Sequence, residues 1–147
     1  MILDRKTYKD IEMHFKAYLS DKEYVDLKSR EIAENITSVP GGSSRRGKGV
    51  PDPTARKAIR IETELKPITD WLEVIESTEK YFDDQAKKDG IDLKYGKGEL
   101  IRRVYYKNEM KDMTMLDMGL TEGSFWKWRN DILNRAALFA SAKGLIE

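Results

Sequence analysis

Within residues 121–130, TEGSFWKWRN, six side chains have the types and spacing that nucleic-acid recognition uses: Thr121, Ser124, Trp126, Lys127, Arg129 and Asn130. Lys127 and Arg129 suit phosphate oxygens or the acceptor edge of guanine, and Asn130 suits an adenine edge. Thr121, Ser124 and Trp126 complete the set. On a helix this group turns outward, while Phe125 and Trp128, three residues apart, turn inward.

Holding that face in place takes a helix start and something before it. The segment KDMTMLDMGL, residues 111–120, supplies a helix of about two turns. It ends at Gly119, flanked by the apolar pair Met118 and Leu120, where a backbone with positive φ suits glycine best. Thr121 then caps the next helix with its hydroxyl. This is the pattern of a helix-turn-helix, whose second helix enters a groove. A plain helical hairpin explains the same residues. Met115 is bulky where the motif prefers a small side chain, and Asp117 and Glu122 bring negative charge toward the face.

Further cations lie in two places. In LIRRVYYK, residues 100–107, Leu100, Ile101, Val104 and Tyr105 form an inward helical face. Arg102, Arg103 and Lys107 lie on or near the outer one, where they suit positioning contacts to phosphate. In PGGSSRRGKGVPDP, residues 40–53, four glycines, three prolines and two serines among fourteen residues argue against a packed element. Arg45, Arg46 and Lys48 sit there, either on a solvated linker or on an arm that settles on nucleic acid. The P-loop spacing and its Ser/Thr are absent.

Charge follows the same division. The 27 basic and 26 acidic side chains nearly cancel. Residues 39–60 nevertheless carry six basic and one acidic, 61–96 five and ten, and 97–147 nine and seven. Local positive potential, not the total, is what a polyanion meets.

Other chemistries find little support. There is no cysteine, and His14 is the only histidine, without a second imidazole as partner. The acids Glu73, Glu76, Glu79, Asp83 and Asp84 recur at helical spacing and invite a metal or an acid–base pair. Lys80, Lys87 and Lys88 interleave them, so a solvated face is the reading. The chain is expected to be no enzyme and to need no cofactor. No apolar run approaches the roughly 18–20 residues that span a bilayer. The first residues, MILDRKTYKD, lack the apolar core of a signal peptide. A cytoplasmic protein with no membrane association is expected.

The remaining chain reads as helix. Tyr8, Ile11, Phe15, Tyr18 and Leu19 make one stripe between Asp4 and Leu19. Ser20 to Glu23 reads as a capping box for a second helix with Tyr24, Leu27, Ile32 and Ile36; one bent helix serves equally well. Asp52 and Pro53 open the longest helix, with Asp52 as N-cap. Its stripe is Ile59, Leu65, Ile68, Leu72, Ile75 and Phe82, widened by Trp71. Pro67 is expected to kink or split it, and Asp89-Gly90 to end it. The last helix continues through Ile132, Leu133, Ala136, Leu138 and Phe139 until Gly144 stops it. The expected fold is all-α: an N-terminal helical region (1–38), a basic loop (39–53), a long kinked helix (54–89) and a helix-turn-helix region (97–147).

LIRRVYYKNE (100–109), TMLDMGLTEGSFWKWR (114–129) and NRAALFA (134–140), with DPTARKAI (52–59), together resemble the phage late-gene transcriptional regulators of the RinA and ArpU type. Their C-terminal domains are similar to region 4 of bacterial sigma factors. The resemblance implies sequence-specific binding of double-stranded DNA upstream of late phage genes in a bacterial host cell. The hairpin is compact beside a sigma-type one, and Trp126 and Trp128 are unusual in a groove-reading helix. An activating regulator that also touches host RNA polymerase and pairs as a homodimer is the leading expectation. The alternatives are a small packaging-terminase-like DNA-binding subunit and a helical protein-interaction module that binds no DNA.

Overall fold

The computed structural model describes residues 3–37 and 53–146, and among them six α-helices and no strand. The helices are α1 (Arg5–Lys16), α2 (Tyr18–Thr37), α3 (Pro53–Lys88), α4 (Lys97–Ile101), α5 (Lys111–Met118) and α6 (Glu122–Ala142). The all-α class expected from the periodicity is what the chain adopts. Arg45, Arg46, Lys48 and Asp52 lie outside the described residues.

The chain forms two compact units, residues 1–19 with 71–147, and residues 20–70. The linear reading grouped α1 with α2. Instead α1 belongs with the C-terminal helices, where its buried Phe15, and Tyr18 at the start of α2, find aromatic partners. Phe15 packs 5.2 Å from Tyr105, and Tyr18 stacks 4.7 Å from Tyr106, centroid to centroid.

Asp4 caps α1 by accepting from the Thr7 amide at 2.7 Å. The break before α2 falls at Ala17, three residues ahead of the proposed capping box, so Ser20 lies inside the first turn of α2. In the second unit Ile32 and Leu65 are fully buried, whereas Tyr24, Leu27 and Ile59 of the expected stripes are exposed. Among the described residues there, Lys28–Glu31 on α2 and Arg60–Glu64 and Lys66–Asp70 on α3 are ion pairs that each join positions three or four apart on the same helix.

Pro67 does not split α3, which is continuous through it. Proline lacks the N–H that the Thr63 carbonyl would otherwise receive. The helix ends as glycine dictates. Gly90 adopts φ +74°, its amide donates to the Lys87 carbonyl, and the Ile91 amide reaches back to Ala86 at 2.8 Å.

A 3-10 turn (Leu93–Tyr95) leads into α4, which widens at once into a π turn, Arg102–Tyr106. There the Lys107 amide donates to the Arg102 carbonyl, five residues back, at 2.9 Å. Asn108 follows at φ +54°, a conformation asparagine tolerates better than most residues. Leu100, Ile101 and Tyr105 are buried and Val104 is half-buried, so this segment has the inward face its sequence suggested. The core of this unit is completed by Val74, Ile75, Phe82 and Phe125, with Ile132, Leu133 and Ala136. Leu138, assigned to the same stripe, is exposed, and Ala137 and Ala140 are buried instead.

Candidate nucleic-acid interface

α5 and α6 are joined by three residues. Gly119 takes φ +68°, and the Leu120 amide closes onto the Met115 carbonyl at 2.9 Å. The Thr121 hydroxyl then accepts from the Ser124 amide at 3.1 Å and starts α6. Met118 and Phe125 are buried under the hairpin and Leu120 is half-buried. Trp128 is half-buried, and the Lys97 ammonium lies 5.6 Å from its ring centroid.

The polar residues of the expected interface divide into two groups. Lys107 and Lys127 are exposed, and among the described residues neither pairs with a carboxylate. Gly123, Lys127 and Asn130 recur at helical spacing on one exposed face of α6. A Cβ built on Gly123 meets nothing within 4 Å, so the backbone there is open to a close approach.

The three arginines behave differently. Arg102 donates to Glu79 at 2.7 Å, to Asp83 at 2.9 and 3.2 Å, and to Glu99 at 2.9 Å. Arg103 donates to Glu99 at 3.0 Å, to Glu109 at 3.1 Å and to Asp117 at 3.0 Å. Arg129 grips both oxygens of Glu12, at 2.8 and 3.0 Å, and touches the Asn130 amide oxygen at 3.2 Å. Each guanidinium is half-buried and held by charge-assisted bonds, the stronger kind. Burial most opposes the charge on Arg102, yet Asp83, Glu79 and Glu99 outweigh it and hold the group firmly protonated. These are structural cations first.

The acidic run on α3 is therefore not simply a solvated face. Glu79 and Asp83 neutralise Arg102, Glu79 also accepts from Tyr106, and Glu76 accepts from Tyr18 at 2.6 Å. Glu73 pairs with Lys143, and Asp84 with Lys80 at 2.8 Å. Two cations of the C-terminal segment, Arg102 and Lys143, thus find counter-ions on the negative middle segment, whereas Lys97, Arg103 and Lys111 pair within their own. Among the described residues no cluster of acids or His is arranged to hold a metal.

The two acids expected to repel a polyanion are paired as well. Asp117 accepts from Arg103, and Glu122 from Lys111 at 3.1 Å. Hydrogen bonds from Lys111 and then Trp126 hold the Glu122 carboxyl below its usual range. Thr121 and Ser124 serve the cap, and the Thr121 hydroxyl donates to Ser124 Oγ at 3.0 Å. The Trp126 ring is 42% exposed, with the Lys111 ammonium at 5.2 Å and the Arg129 guanidinium at 5.4 Å from its centroid. Lys111 and Glu12 escaped the sequence reading. Lys111 meets Trp126 only once the hairpin has turned, and Glu12 sits far from its partner along the chain.

No protein-family model, curated protein or solved structure matches the chain. No helix among the described residues is long and apolar enough to cross a membrane.

Proposed function

We propose that the α5–α6 hairpin is a helix-turn-helix and that the chain is a sequence-specific, double-stranded DNA-binding regulator of transcription. The observation that carries the reading is the open face of α6, where Gly123, Lys127 and Asn130 follow directly on a three-residue turn and a capped helix start. A helix entering the major groove reads bases with its N-terminal residues. Lys127 contacts phosphate or a guanine edge, Asn130 reads an adenine edge, and Lys107 contacts the flanking phosphate. Arg102, Arg103 and Arg129 act by building the scaffold. Arg45, Arg46 and Lys48 add a basic arm. The resemblance to phage late-gene regulators makes the target a promoter-proximal site in a bacterial host, and host RNA polymerase and a second copy of the chain the natural partners.

A second reading has its own support. Met110, Met113 and Leu116 are exposed around α5, Leu116 to 75%, and methionine-rich apolar surface suits protein partners. In that reading the hairpin is an interaction module without DNA.

Retention of a library of phage genome fragments across a salt series separates them. Selective retention of a promoter-proximal fragment, lost in Lys127→Ala with Asn130→Ala, supports the regulator. Retention of a packaging-site fragment points to a terminase-like subunit. Absence of retention at low salt leaves the interaction module.

A further inference from the structure

A half-open cavity of about 170 Å3 lies beside the start of α6, within the first unit. Its walls are apolar where Leu100, Val104, Tyr105 and Phe125 line it. A comparable space, on the order of 150 Å3 with apolar walls, admits benzene. Trp126 also lines the cavity, making a T-shaped contact with Phe125 at 5.3 Å.

The polar groups on the lining are unequal in sign. Lys16, Lys111 and Arg129 face one carboxylate, Glu12. Both oxygens of that carboxylate are already engaged, by Arg129 and by the Tyr105 hydroxyl at 2.7 Å. Lys16 donates no hydrogen bond to a carboxylate among the described residues, and its charge acts on Glu12 from a distance. Lys111 makes one bond to Glu122, and an ammonium has three donors. Against the carboxylates Glu12 and Glu122, the three cations thus leave one positive charge in excess, with spare ammonium donors, at the edge of an apolar space. Val104 and Tyr105 reach it from the π turn, a local departure from α geometry that recurs at functional sites.

We propose that this cavity binds a small aromatic carboxylate, its ring against Leu100, Val104 and Phe125 and its anionic head on Lys16 and Lys111. The apolar part of the cavity has room for about one ring. A neutral ring leaves the ammonium groups unmatched, and a bare anion leaves the apolar walls wet. The ring edge meets Trp126, so occupancy registers on that indole. The site goes beyond the DNA-binding reading and does not depend on it.

The test uses the full chain and benzoate as probe, followed on the three indole N–H resonances by NMR. The resonance missing from Trp126→Phe identifies Trp126. The site predicts a saturable shift of that resonance with benzoate, with Trp71 and Trp128 unmoved, and no saturable shift with benzamide or with acetate. Lys16→Gln with Lys111→Gln weakens benzoate at least about tenfold. An equal response to benzamide, a saturable shift on Trp71 or Trp128 instead, or no saturable shift with benzoate overturns the proposal. Because the three probes are compared on the unmodified chain, the outcome stands even where the lysine variant folds poorly.

Discussion

Arg129 and Glu12 are joined by two parallel hydrogen bonds across 117 residues of sequence, and that pair ties the first helix to the last. Arg129 looked like a nucleic-acid contact because its neighbours Lys127 and Asn130 face outward. On the folded chain it turns to the side where α1 lies. Tyr8 of α1 adds a second tie by donating to Asn134 at 2.9 Å.

Glu12→Gln leaves a half-buried guanidinium against a neutral partner. We expect a loss of about 1–3 kcal/mol, seen as a lower urea midpoint with an unchanged slope. Arg129→Ala is expected to cost a similar amount. A double-mutant cycle isolates their coupling, and a coupling near zero contradicts the pairing. If both variants weaken DNA binding equally, Arg129 acts through the fold and not through a base.

Gly98 lies against the same kind of network. A Cβ there would stand 2.1 Å from Asp83 Oδ1 and 2.9 Å from its Cγ, so Asp83 must leave Arg102. Gly98→Ala is expected to destabilise by about 1–3 kcal/mol, the worth of charge-assisted bonds. In an Asp83→Ala background the same change becomes nearly neutral. Equal cost in both backgrounds contradicts the mechanism.

Gly119→Ala tests the turn alone. Nothing lies within 4 Å of the added Cβ, so the cost is backbone strain at φ +68°. About 1–2 kcal/mol is expected, with Gly119→Asn costing less because asparagine visits this conformation. A thermal melt in which the two variants lose equal stability contradicts it.

Stability is expected to fall at both ends of the pH scale. Burial pushes the Glu12 carboxyl up, but hydrogen bonds from Arg129 and Tyr105 outweigh it and hold the group below its usual range. The unfolded chain then takes up that proton first. The contribution is complete above the ordinary glutamate value of about 4.3 and lost as pH falls through the lowered one. Tyr18, Tyr105 and Tyr106 shift the other way, first by burial and then through Glu76, Glu12 and Glu79. Their contribution is complete below about pH 10 and declines as the unfolded chain ionises above it. Urea midpoints should be flat between about pH 5 and pH 9, and a profile rising above that range contradicts the tyrosine–carboxylate bonds.

What the sequence made legible was local. Gly119, Thr121, Gly90, Gly144 and Pro53 mark boundaries by chemistry that acts within a turn, and each does so in the fold. The inward pair Leu100 and Ile101 and the buried Phe125 followed from periodicity. What escaped was long-range charge pairing. An arginine on an exposed helix face and one locked to a distant carboxylate look alike in sequence, since only the packing of α1 and α3 supplies Glu12, Glu79 and Asp83. The break at Ala17 escaped for a similar reason. Ser20 offers good capping chemistry, but the aromatic contacts of Phe15 and Tyr18 set where the chain turns. The cavity beside the start of α6 required four helices to be in place before its lining existed.

In the proposed function, α6 meets DNA through Lys127. The most direct measurement is the dependence of binding on salt for the retained fragment, with the unmodified chain and with Lys127→Ala. One lost phosphate contact should lower the log–log slope by about one while the fold, followed by circular dichroism, stays unchanged. An identical slope and affinity in the two proteins, or no binding at low salt, would contradict the account.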